Sequence, residues 1–88
     1  MKWQIEFTKV SKKYLKKQQP QISKRIINFL YEKIRKNPRD IGEPLKGQKL
    51  GSYWKYRIGS YRVIADIRDN ELLILIIRIG DRKEVYKS

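Results

Sequence analysis

With 88 residues, the chain has room for one domain and not two. Its 40% hydrophobic content favours a folded globule over a disordered chain. Cysteine and histidine are both absent, which excludes disulfide staples, thiolate metal sites and imidazole acid–base or triad chemistry. Twenty-two Lys and Arg against nine Asp and Glu leave a net charge of +13, and so large a charge points to a polyanionic partner: nucleic acid, an acidic protein or an anionic membrane surface.

In chain order, Trp3, Ile5 and Phe7 alternate with polar residues and predict a strand over Trp3 to Phe7. Lys9 to Gln18 carries Val10, Tyr14 and Leu15 on one side and predicts a short helix. Pro20 ends it and opens the next helix. There Ile22, Ile26, Leu30 and Ile34 recur every four residues, broadened by Ile27 and Phe29, until Asn37-Pro38 stops the helix. Arg39 to Ser52 reads as a loop rich in glycine. Two alternating runs, Tyr53 to Ile58 and Tyr61 to Ile67, flank Gly59-Ser60 and predict a hairpin with a type II′ turn. Asp69-Asn70 marks a second turn. Leu72 to Ile77 is apolar throughout and reads as a strand covered on both faces. Arg78 to Ser88 reads as a polar tail. No apolar run reaches membrane-spanning length, and Met1 to Gln4 begins no signal-peptide pattern, so a cytoplasmic location is expected and no membrane partner. The expected fold is α+β: an N-terminal strand, a two-helix hairpin, and a three-stranded antiparallel meander in one sheet.

The first hairpin's register follows from its turn. With Gly59-Ser60 as the loop, Ile58 faces Tyr61, Arg57 faces Arg62 and Lys55 faces Ile64. Trp54, Tyr56, Ile58, Tyr61, Val63 and Ala65 then share a core face. Tyr53, Lys55, Arg57, Arg62 and Ile64 share the other, cationic face. Opposed arginines repel, so this is either a well-solvated sheet surface or an anion site, and register alone admits both. A two-residue turn at Asp69-Asn70 sets Ala65 opposite Ile74 and Val63 opposite Ile76, with Leu73, Leu75 and Ile77 flooring the cationic face. Arg82 and Tyr86 follow that strand closely enough to join Lys55, Arg57 and Arg62 around a shallow cleft. The scattered acids show no clustered metal-ligand pattern, so neither a metal nor a cofactor is expected.

Three stretches carry a family resemblance: Leu45-Lys46-Gly47; Tyr53-Trp54-Lys55-Tyr56-Arg57-Ile58-Gly59-Ser60-Tyr61-Arg62-Val63-Ile64; and Ile79-Gly80-Asp81-Arg82-Lys83-Glu84-Val85-Tyr86. Together they resemble the RelE toxins of the RelE/ParE superfamily, with matching element order over essentially the whole chain, 1–88 as a single RelE-like toxin domain. The resemblance implies a ribosome-dependent endoribonuclease that cuts mRNA in the decoding site. Attack of a ribose 2′-OH on its own 3′-phosphate would leave a 2′,3′-cyclic phosphate. It also implies a neutralising antitoxin partner, with any operator DNA bound only through the antitoxin complex.

By the same resemblance Lys55, Arg62, Arg82 and Tyr86 match catalytic positions, and Arg57 stands where the prototype has a second lysine. Lys55 is the candidate base, Arg57 a phosphate ligand, Arg62 the stabiliser of charge at phosphorus, Arg82 the helper of the leaving oxygen and Tyr86 a base-stacking group. Lys46 and Lys49 in the loop, and Lys9, Lys12, Lys13, Lys16, Lys17, Lys24, Arg25, Lys33, Arg35 and Lys36 on the helices, are candidate contacts to RNA, including ribosomal RNA. Two other readings share the fold: a ParE-like toxin that poisons DNA gyrase, and a non-catalytic nucleic-acid-binding relative.

Overall fold

In this computed structural model the described residues are 3–45 and 53–81. Strand β1 is Gln4–Phe7, helix α1 Lys9–Lys17 and helix α2 Pro20–Phe29, continued by a π-helical segment Leu30–Ile34. Strands β2 (Glu43–Pro44), β3 (Tyr53–Ile58), β4 (Tyr61–Arg68) and β5 (Leu73–Asp81) follow. They form one five-stranded sheet in the order β1-β5-β4-β3-β2, antiparallel except where β1 joins β5. The helices cover one sheet face, and no described helix packs over the other, the open face.

The π segment explains the four-residue spacing of the α2 stripe. In an α-helix each step of four residues turns the stripe about 40° further round the axis. The wider π turn takes up an extra residue and rotates the stripe back. Ile26, Leu30 and Ile34 are accordingly all fully buried, packed with Leu15 against Tyr56, Ile58, Val63, Ala65, Ile74, Ile76 and Ile79 of the sheet.

The first hairpin has the expected register, with Ile58 opposite Tyr61, Arg57 opposite Arg62 and Lys55 opposite Ile64. Gly59 takes φ 59 while Ser60 stays at negative φ, as a type II′ turn requires. The second hairpin differs from expectation. Its connection is a 3₁₀ turn, Asp69–Glu71, closed by Leu72 in the left-handed region at φ 50, so four residues and not two join the strands. Ala65 therefore pairs with Ile76, not Ile74, and Val63 with Ile79, not Ile76. The shift of two preserves the face of Ala65. A β-bulge then intervenes, with Ala65 on Ile76 but Ile64 on Arg78, so Ile77 is the extra residue. The strand also runs on through Asp81, into the stretch expected to be a polar tail.

The bulge is buttressed from α1. Thr8 caps that helix by accepting from the Ser11 amide, and its hydroxyl donates to the Ile77 carbonyl at 2.9 Å. The fully buried Ser11 hydroxyl donates to the Ile76 carbonyl at 2.9 Å. The Ile76 carbonyl also accepts from the Thr8 amide at 3.1 Å, so the start of α1 is bonded to both carbonyls beside the irregular pairing.

The loop after α2 is fastened along its length. Arg39 makes a bidentate pair with Asp69 at 2.7 and 2.9 Å, the Trp54 indole N–H donates to Ile41 O at 2.7 Å, and the buried Tyr56 hydroxyl donates to Pro38 O. Gly42 adopts φ 77, and an added Cβ would strike the Lys55 carbonyl and come within 2.9 Å of the Trp54 indole nitrogen. Only glycine lets the chain pass this close to β3, and the residues just after it pair there as β2, in a stretch expected to be loop throughout.

Candidate functional site

On the open sheet face Gly42, Glu43, Lys55, Tyr56, Arg57 and Arg62 line a cleft of about 180 Å3. β3 contributes Lys55 and Arg57, β4 contributes Arg62, and the strapped loop contributes Glu43. The three predicted strand cations are thus brought together. Arg62 is not on a wet surface as an ordinary sheet cation would be: it is only 5% exposed, at the floor, while Arg57 opposite it is exposed. On its other side Arg62 pairs with Gly80, which adds no side chain.

Glu43 is the residue that sequence reasoning missed. Its carboxylate lies 3.1 Å from the Lys55 ammonium, and the two residues are direct partners in the β2–β3 pairing. The signal was the Gly42-Glu43-Pro44 run, where glycine permits a close approach and the next residue inherits it. The pair changes the chemistry open to Lys55. A carboxylate offers hydrogen-bond acceptors and an ammonium only donors, so Glu43 brings an acceptor to the cleft beside Lys55.

Arg78 was also missed as a member of this face. It sits opposite Ile64, which is itself opposite Lys55, and it is exposed. Simple alternation from Ile74 and Ile76 would have buried it. Arg82 and Tyr86 lie outside the described residues, as do Lys46 and Lys49. Lys12, Lys13 and Lys16 are exposed on α1, as are Lys9 and Lys17, and α1 packs on the opposite side of the sheet from the cleft. The helix lysines and the cleft are therefore two separate basic surfaces.

Beneath the cleft the Tyr56 phenol is raised above its usual range by burial, a shift that the positive charge of Arg39 partly opposes. Among the described residues no group of three or more carboxylates could hold a metal ion. No described helix is long and apolar enough to cross a membrane.

Known proteins share this fold. Residues 5–86 match the family described as ParE toxin of type II toxin-antitoxin system, parDE. Toxin RelG of Mycobacterium tuberculosis is 26% identical over 87 residues, covering 99% of each chain. The RelBE2 toxin–antitoxin complex of Mycobacterium tuberculosis contains a chain that superposes with a TM-score of 0.83 at 26% identity, over 93% of each chain. The isolated E. coli RelE toxin has the same fold, with a TM-score of 0.77 at 22% identity over 96% of this chain and 90% of that one. The open-faced sheet, the two covering helices and the match over nearly all of the sequence lead to one assignment: this chain belongs to the ParE toxin family of the RelE/ParE superfamily and is the toxin of a type II toxin–antitoxin system.

Proposed function

We propose that this toxin is a ribosome-dependent endoribonuclease that cleaves mRNA in the decoding site, inhibiting translation and arresting growth in the cytoplasm. The observation that carries the reading is Arg62. Its guanidinium, a planar fork of donors, lies at the floor of the cleft with Lys55 and Arg57 beside it, a clustering of cations that suits the oxygens of an anionic ligand. RNA phosphate is such a ligand.

The reaction is transesterification. The ribose 2′-oxygen forms a bond to phosphorus as the bond to the 5′-oxygen breaks, and the leaving 5′-oxygen takes a proton from water, giving a 2′,3′-cyclic phosphate and a 5′-hydroxyl. Glu43 accepts the 2′-OH proton, and the Lys55 ammonium orients that carboxylate and faces the phosphate. Arg62 stabilises the charge that develops on the phosphorane oxygens, and Arg57 binds phosphate from the solvent side. Arg82 at the leaving oxygen and Tyr86 stacked on a base complete the site by resemblance. No step requires a metal.

The two basic surfaces lie on opposite sides of the sheet, so one short RNA strand does not reach both. A cavity walled by RNA does, and ribosomal RNA around a bound mRNA has that form. Such a host also fixes the mRNA in line for attack, a term worth about 7–11 kcal/mol in well-oriented systems. The partner that neutralises the toxin is a cognate antitoxin whose acidic groups complement the +13 charge.

Purified toxin incubated with programmed ribosomes and end-labelled mRNA should give cuts within the decoded codon, with cyclic-phosphate ends. Arg62→Ala should abolish them with the fold intact. Unchanged cutting by that variant would overturn the site assignment. The family description favours a second reading, a gyrase poison. It predicts inhibited supercoiling and intact mRNA, whereas ribosome binding with neither effect identifies a non-catalytic relative.

A further inference from the structure

We propose that Arg78 forms a second phosphate subsite beside the cleft, taking the phosphodiester next to the one held by Arg62; this rests on the RNA reading of the cleft. Three observations carry it. First, the bulge sets both Ile77 and Arg78 against Ile64, as a bulge opposes two residues to one, and this puts Arg78 on the open face and returns Ile79 to the core. Second, Arg78 is exposed, and among the described residues it makes no ion pair, whereas Arg39, Lys55 and Arg68 each have an acidic partner. Third, Arg62 pairs with Gly80, two residues further along β5, so no side chain stands between the cleft floor and Arg78 on that strand.

Strand geometry places the Cα atoms of Arg62 and Arg78 about 8 Å apart, one strand over and two residues along. Two guanidinium groups at that spacing, one buried and one free, suit successive phosphates of a single strand better than one shared phosphate. Lys55 lies across Ile64 from Arg78, so the line of cations crosses three adjacent strands. The bulge that creates this subsite is held by Thr8 and Ser11, which ties its geometry to the N-terminus of α1.

The test uses probes that cannot be cleaved: a 2′-O-methyl dinucleotide with one phosphodiester and a 2′-O-methyl tetranucleotide with three, titrated into purified toxin by NMR. Arg62→Gln should weaken both probes. Arg78→Gln should leave the dinucleotide unchanged, weaken the tetranucleotide about tenfold and lower its salt slope by about one. Arg78→Lys should recover most of that loss. Equal weakening of both probes by Arg78→Gln would reduce Arg78 to diffuse charge, and no weakening of either would make it a solvated sheet cation; both overturn the subsite. A toxin that fails to cut mRNA on ribosomes yet shows the length-dependent Arg78 effect would refute the nuclease reading alone.

Discussion

Glu43 and Lys55 face each other across the β2–β3 pairing and close a 3.1 Å ion pair inside the cleft. One member is the residue singled out from sequence as the candidate base, and the other supplies the lone pairs a base needs. Removing either charge separates their roles.

Glu43→Gln keeps the size of the side chain and removes its basicity. Cleavage on ribosomes should fall by about 10²–10⁴-fold, the usual worth of a positioned acid or base. Stability should change by less than about 1 kcal/mol, because Glu43 is largely exposed and its ion pair is screened. Rate measurements beside a urea melt check both. A Glu43→Gln toxin that cuts normally returns the base to another group.

Arg62→Lys keeps the charge and loses the planar fork. A loss of cleavage close to that of Arg62→Ala, about 10²-fold or more, is expected if two guanidinium N–H groups meet two phosphoryl oxygens at once. Near-complete rescue by lysine would mean that Arg62 supplies charge alone. Single-turnover rates on the same mRNA distinguish the two.

Tyr56 gives the domain an alkaline limit. Burial raises its folded pKa above the unfolded value near 10. The neutral phenol's contribution is therefore complete below about pH 10 and is lost as pH climbs further, since the unfolded chain then releases a proton the folded one retains. Absorbance titration near 295 nm should show one tyrosine ionising last, together with unfolding. Tyr56→Phe should remove that component and cost about 1–3 kcal/mol, because Pro38 O loses its donor.

Gly42→Ala tests the close approach of the loop to β3. A Cβ at φ 77 meets the Lys55 carbonyl and the Trp54 indole at once. The expected cost is about 1–3 kcal/mol from strain, with loss of the β2 pairing and hence of Glu43 from the cleft. Amide exchange at Leu45, whose N–H bonds to Tyr53 O, reports the pairing directly. Wild-type protection at Leu45 in the variant would contradict this account.

The first hairpin was legible in the sequence because its turn was. Gly59-Ser60 fixes the loop at two residues, and every cross-strand partner from Tyr53 to Asp66 follows. The second hairpin was not, because Leu72 takes a left-handed conformation that nothing in a leucine announces. The bulge was hidden for a related reason. It is braced from Thr8 and Ser11, some 65 residues away in the chain, and contact of that range leaves no local pattern. The strand cations of the site were therefore readable. Glu43 and Arg78 were not, since each owes its place to an irregularity: a close-approach glycine in one case and an extra residue in the other. The π turn left a trace, the unbroken spacing of four from Ile22 to Ile34, which a uniform α-helix does not keep on one face.

The face a strand residue occupies is a matter of odd and even, and Ile77 changes the count. Residues before it keep one numbering of inside and outside, and residues after it keep the opposite. A relative with one residue fewer between Ile76 and Ile79 has to surrender either the core isoleucine or the outward arginine. Cleft residues in such a relative should be aligned separately from each side of Ile77, because a gap placed one position away exchanges lining for core.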